Sequence, residues 1–148
     1  MNEQEMHKKY YRQIFDTLDQ EPYAQFLGMK LVELGEGSAV TELVVQEHML
    51  NAHNTVHGAI IFSLADYAFA AASNSYGKTS VGLSTNMHFI APAFPGDTIR
   101  ATATEEKRNN KVGFYRIKIE NKDALIATME AVVYRKQQIF VELDEQDQ

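Results

Sequence analysis

The stretch VHGAIIFSLADYAFAAASNSYG, residues 56–77, constrains this chain more than any other. Alanines and large apolar residues fall on nearly every side of the helix it would form, so that helix must be covered on nearly every side. Yet Asp66 stands in its middle. Aspartate is a poor residue for a helix interior and is rarely buried without a partner. A lysine one turn on is unavailable, because residue 70 is alanine. The plain structural explanation is a bond to a local hydroxyl such as Ser63, or an outlook onto solvent.

The flanking sequence indicates what could cover the helix. GMKLVELGEGSAVTELVV holds two β-prone runs around Gly35 and Gly37, a hairpin pattern. Beyond the helix, SVGLSTNMHFI alternates, which assigns Val81, Leu83, Met87 and Phe89 to one face and Gly82, Ser84, Asn86 and His88 to the other. TIRATATEEKR and VGFYRIKIE follow as strands joined by NNK, where asparagine tolerates positive φ, and ALIATMEAVVYRK is the last strand. Five or six strands in hairpin order with one inserted helix make an α+β chain, an antiparallel sheet curved around a long central helix. A single copy leaves part of the helix or a sheet edge bare, so self-association is expected. Met6, Tyr10, Tyr11, Ile14, Phe15 and Leu18 form a helical stripe that ends near Pro22. The chain of 148 residues therefore reads as one domain: a partly separate N-terminal helix (1–22), a core (26–136) and a frayed acidic tail (137–148).

Composition removes several functions. Without cysteine there is no disulfide framework and no thiolate metal site. The charged N-terminus lacks a signal-peptide core, and no window approaches the ~18 uncharged apolar residues of a membrane span, so a cytoplasmic protein is expected. The net charge of −6 argues against nucleic-acid binding. Six bases against two acids between Arg100 and Lys118 could still hold an anionic ligand, or could form a solvated strand pair. His53 and His57 are four apart, but residue 54 is asparagine and no third ligand stands near, so no metal is expected. There is no nucleophile elbow, phosphate loop or dinucleotide fingerprint.

What remains is the helix itself. Its first turn, HNTVHGAI, offers free backbone N–H groups and a partial positive charge to an oxyanion or a polarised carbonyl. Gly58 there lets a ligand approach closely, or simply eases the turn. Asn54 or Thr55 is expected to cap the helix, and Gly77 to close it. Asp66 lies eight residues beyond Gly58, about 12 Å along the axis, too far for both to act on one carbonyl within one chain. If they cooperate, two copies must pack their helices antiparallel, with each Asp66 nearer the Gly58 of the other copy.

The pattern N51-x5-HG-x7-D66, followed by a polar strand position at Ser84, resembles the PaaI-type branch of the hotdog-fold acyl-CoA thioesterases. HGAIIFSLADYAFAAASNSYG is similar to that family's central helix and MHFIAPAFPGD to its strand-to-turn junction, and the likeness covers about residues 26 to 135. The resemblance implies a hotdog fold and hydrolysis of acyl-CoA to a free acid and coenzyme A, with water as co-substrate and no cofactor. It gives the Gly58 N–H the thioester carbonyl and Asp66 of the facing subunit the role of general base or nucleophile. Asn51 and His57 would orient the thioester or the water, and Ser84 would hold the water or the Asp66 carboxylate. Ala59 stands where many members have a second glycine, and Ala91 where many have a base. Lys107, Arg108 and Lys111 would then substitute as ligands of the coenzyme's phosphates, while His88 and Phe62 would line the acyl or pantetheine channel. A homodimer, or a homotetramer built from it, is implied. The rival function is a hotdog protein that binds an acyl thioester as sensor or carrier without turnover. A hotdog hydratase would want an Asp–His pair at the helix entry, whereas His57 and Asp66 lie nine apart.

Overall fold

The computed structural model describes all residues, 1–148. Three short helices, α1 (Glu3–Lys9), α2 (Tyr11–Asp19) and α3 (Pro22–Leu27), precede the hairpin β1 (Lys30–Gly35) and β2 (Ser38–Val44). The long helix α4 (Gly58–Ser73) comes next, then β3 (Lys78–Phe89), β4 (Thr98–Arg108), β5 (Val112–Glu120) and β6 (Leu125–Ile139). The strands form one antiparallel sheet in the order β1-β2-β4-β5-β6-β3. β3 thus crosses from the helix to the far edge of the sheet. This is the hotdog arrangement expected from the sequence.

The alanines explain how a sheet can wrap so tightly. Ala65, Ala68, Ala71 and Ala72 of α4 are wholly buried, as are Ala101 and Ala103 of β4 and Ala127 of β6. Larger residues fill the space between them: Leu64, Ile99, Ile117 and Met129, with Phe69 and Tyr115 edge to face at 5.7 Å. Thr41 on β2 donates its hydroxyl to the Leu64 carbonyl at 3.0 Å, fastening sheet to helix. The β1–β2 turn needs glycine at residue 37, where φ is +70° and a Cβ would stand 2.8 Å from the Tyr76 hydroxyl.

The ends of the chain depart from expectation. The N-terminal stripe is broken at Tyr10, and Pro22 starts a third helix at a first-turn position that needs no N–H, besides ending the second. These helices are part of the core, with Ile14 fully buried and Met6 and Tyr10 nearly so. The tail is not frayed: Lys9 and Tyr10 hold Asp147, Gln13 pairs with the Glu142 backbone, and Val141 is buried. Glu3 gathers Lys78, Arg108 and the buried Arg135. Burial alone would raise its pKa, but hydrogen bonds from Arg108 and Arg135 hold it below the usual carboxylate range. In the β4–β5 turn Asn109 does not adopt positive φ; its Oδ1 accepts the Lys111 and Val112 N–H groups instead.

Two surfaces stay open. β3 has no neighbour on its outer edge, and Leu83 and Phe89 are 59% and 58% exposed. α4 lies mainly over β2, β4 and β5, and a trough lined by Gly58, Phe62 and Asp66 of the helix and by Met87 and Phe89 of β3 stays open beside it.

Candidate active site

The loop before α4 is built to present one amide. Asn51 Oδ1 accepts the His53 and Thr55 N–H groups, and its Nδ2 donates to Thr55 Oγ1 at 2.8 Å. Asn54 takes φ +62°, a conformation asparagine tolerates. His57 donates its backbone N–H to the Met49 carbonyl and becomes the N-cap: its Nδ1 accepts the Ala59 N–H at 2.9 Å. The cap is therefore His57, later than the expected Asn54 or Thr55. With Nδ1 accepting, a neutral His57 carries its proton on Nε2. The His57 carbonyl accepts from Ile60 and Ile61. Of the four first-turn donors, only the Gly58 N–H has no partner within the chain.

Glycine there also lets an aromatic ring lie close to the helix start. A Cβ on Gly58 would stand 3.2 Å from the ring of Phe89, which crosses the helix start from β3. Phe89 and Gly58 border two adjoining hollows, one containing Asn51, the other the trough. The trough, about 540 Å³, runs past Phe62 and Met87 to Asp66. Gly58 and Asp66 of one chain thus open onto the same trough, at opposite ends of about 12 Å of helix.

Asp66 makes no hydrogen bond. Ser63, the local hydroxyl that could have held it, donates to the Ala59 carbonyl at 2.8 Å and meets the Tyr23 hydroxyl at 3.1 Å. Solvent reaches Asp66 on a single chain, yet the trough it borders is lined largely by apolar side chains, and burial pushes its pKa up. An unpaired carboxylate that resists ionisation is suited to taking a proton from water near neutral pH.

Ser84 and His88 are elsewhere. The pairing of β3 with β6 shifts register between Gly82 and Ser84, and the alternation reverses there. Gly82, Thr85, Met87 and Phe89 oppose Val133, Ala131, Met129 and Ala127, which face α4. Ser84 and His88 oppose Val132 and Thr128 on the outer face, where His88 approaches Asn86 at 3.5 Å. Ser84 therefore cannot hold water for the Asp66 of its own chain, and His88 does not line the trough.

The three bases are separated from Gly58 as well. Their hairpin aligns with the Val81 end of β3, eight residues and about 26 Å from Phe89. Arg108 is engaged by Glu3 and Glu105 and stacks over Tyr76, whereas Lys107 and Lys111 are exposed. Sequence reasoning missed Tyr23, which borders the trough from α3, because nothing local marks a residue brought 40 positions along the chain to Ser63.

Comparison with known proteins gives a consistent result. The thioesterase superfamily model matches residues 53–128. Acyl-coenzyme A thioesterase PaaI of Escherichia coli is 37% identical over 116 residues, covering 78% of this chain and 83% of that protein. The solved structure of the E. coli PaaI protein from the phenylacetic acid degradation operon superposes with a TM-score of 0.83 at 31% identity, over 93% and 99% of the two chains. A mutant structure of the phenylacetic acid degradation protein PaaI of Thermus thermophilus gives 0.76 at 34% identity, over 78% and 100%.

Proposed function

This chain belongs to the thioesterase superfamily, in its PaaI-type branch, and on that premise we propose that it hydrolyses acyl-CoA thioesters at a site shared by two copies. The observation that carries the reading is that α4 turns toward one trough both a backbone amide with no partner and, eight residues on, a carboxylate with no hydrogen bond. His57 satisfies its neighbours and leaves the Gly58 N–H, and Asp66 has no partner on its own chain. The thioester oxygen accepts from the Gly58 N–H, which stabilises the negative charge that grows there. Asp66 takes a proton from water as the water oxygen bonds to the carbonyl carbon. The tetrahedral adduct then re-forms the carbonyl, expels the coenzyme's thiolate, and the proton from Asp66 leaves the products as acid and thiol.

The separation of about 12 Å within one helix requires the two groups to come from different copies. The bare edge of β3 and the half-covered α4 supply the surfaces for a homodimer with antiparallel helices. Antiparallel pairing also turns the Lys107 and Lys111 end of one copy toward the Gly58 end of the other, where the coenzyme's phosphates need cations. Phe62, Met87 and Phe89 would wall the acyl group. The test is release of free thiol from a panel of acyl-CoA substrates. Turnover is expected for at least one acyl class; tight binding without thiol release across the panel would instead identify a sensor or carrier.

A further inference from the structure

The segment joining α2 to α3 lies outside the matched family region, yet two hydrogen bonds strap it across α4. Tyr67 donates its hydroxyl to the Leu18 carbonyl at 2.8 Å, and Tyr23 meets Ser63 Oγ at 3.1 Å. Ser63, Asp66, Tyr67 and Ala70 form one stripe of the helix. Glu21 sits in sequence between the two fastenings and borders a hollow with Tyr67 and Ala70, the neighbours of Asp66 on that stripe. Glu21 is half-buried and makes neither a side-chain hydrogen bond nor an ion pair. We propose that Glu21 is a positioning residue of the site, a second carboxylate whose charge opposes that of Asp66 and makes Asp66 the stronger base.

Within one copy nothing bordering the two hollows cancels that charge, and in the dimer the helix start of the second copy, with His57 as its cap, would be the further titratable neighbour of Asp66. Asp19 of α2, Tyr23 of α3 and Tyr67 of α4 are the other titratable groups facing this stripe. The inner face of β3 offers Gly82, Thr85, Met87 and Phe89, none of which titrates. No lysine or arginine borders either hollow. Burial, and then the charge of Asp66, raise the pKa of Glu21, while burial raises that of Asp66. Coupling between two such carboxylates is mutual.

The proposal rests on Asp66 acting as the base, and the experiment separates the two claims. The Asp66 carboxyl is titrated by NMR, and kcat/KM is measured against pH, in the wild type, Glu21→Gln and Glu21→Asp. With Glu21→Gln, Asp66 is expected to titrate at lower pH, and activity relative to wild type to be about threefold higher at the acid end of the profile than at pH 8. Glu21→Asp, which keeps the charge, is expected to keep the wild-type profile. An Asp66 titration unmoved by Glu21→Gln overturns the coupling. If the titration moves but the rate profile does not, the catalytic role of Glu21 is overturned; Asp66→Asn then shows whether Asp66 was the base at all.

Discussion

Replacing Asp66 with asparagine is expected to lower kcat for thioester hydrolysis by about 10²-fold or more, the range of a removed general base, with substrate binding largely kept. The substitution retains size and polarity and removes only the ability to accept a proton. Stability moves the other way. The Asp66 pKa is raised in the folded protein, so ionisation is the disfavoured state there and costs stability as pH rises above the unfolded value. Asparagine removes that cost, and the thermal midpoint of Asp66→Asn at neutral pH is expected to equal or exceed that of the wild type. Loss of rate without loss of stability marks a group kept for chemistry. The same sign governs the expected wild-type profile: with Asp66 as the base, activity needs its ionised form, and the acid limb is expected above the ordinary aspartate range.

Gly58→Pro is expected to lower kcat by about 10²- to 10³-fold, the effect of deleting one oxyanion donor. Proline removes the N–H and little else at a first helical position. The preceding His57 has φ −63° and ψ 137°, a conformation compatible with a following proline. Added ring atoms meet Phe89, an exposed side chain that can turn aside. Gly58→Ala makes the control, since it presents nearly the same bulk to Phe89 and keeps the amide. Steady-state kinetics of the two variants, with circular dichroism to confirm the fold, separate the loss of a donor from crowding. Equal losses in both would assign Gly58 a purely steric role.

Much of this architecture was legible in the chain. The apolar helix, the hairpin glycines and the alternating strands follow from local periodicity. Gly58 and Asp66 stood out as candidates because a charge in an apolar helix is costly and a glycine at its start is permissive. Other features depend on contacts that no local pattern encodes. One bulge between Gly82 and Ser84 moved Ser84 and His88 to the outer face, although alternation alone gave no sign of it. Arg108 looked free for a phosphate, but Glu3, 105 residues away, engages it. His57 became the cap through its ring nitrogen, and Pro22 began a helix as well as ending one. Tyr23 reaches the trough because Tyr67 and Ser63 fasten its segment to α4.

The division of the site between two copies is tested most directly by mixing the two inactive variants. Gly58→Pro and Asp66→Asn chains, unfolded together and refolded, form mixed dimers in which one site pairs an intact Gly58 with an intact Asp66. Random pairing makes half of the dimers mixed, each with one working site of two, so about a quarter of wild-type activity is expected to return. Each variant refolded alone should stay at its own low rate. A refolded mixture no more active than the average of its components would contradict the shared site and place both groups of each working site on one chain.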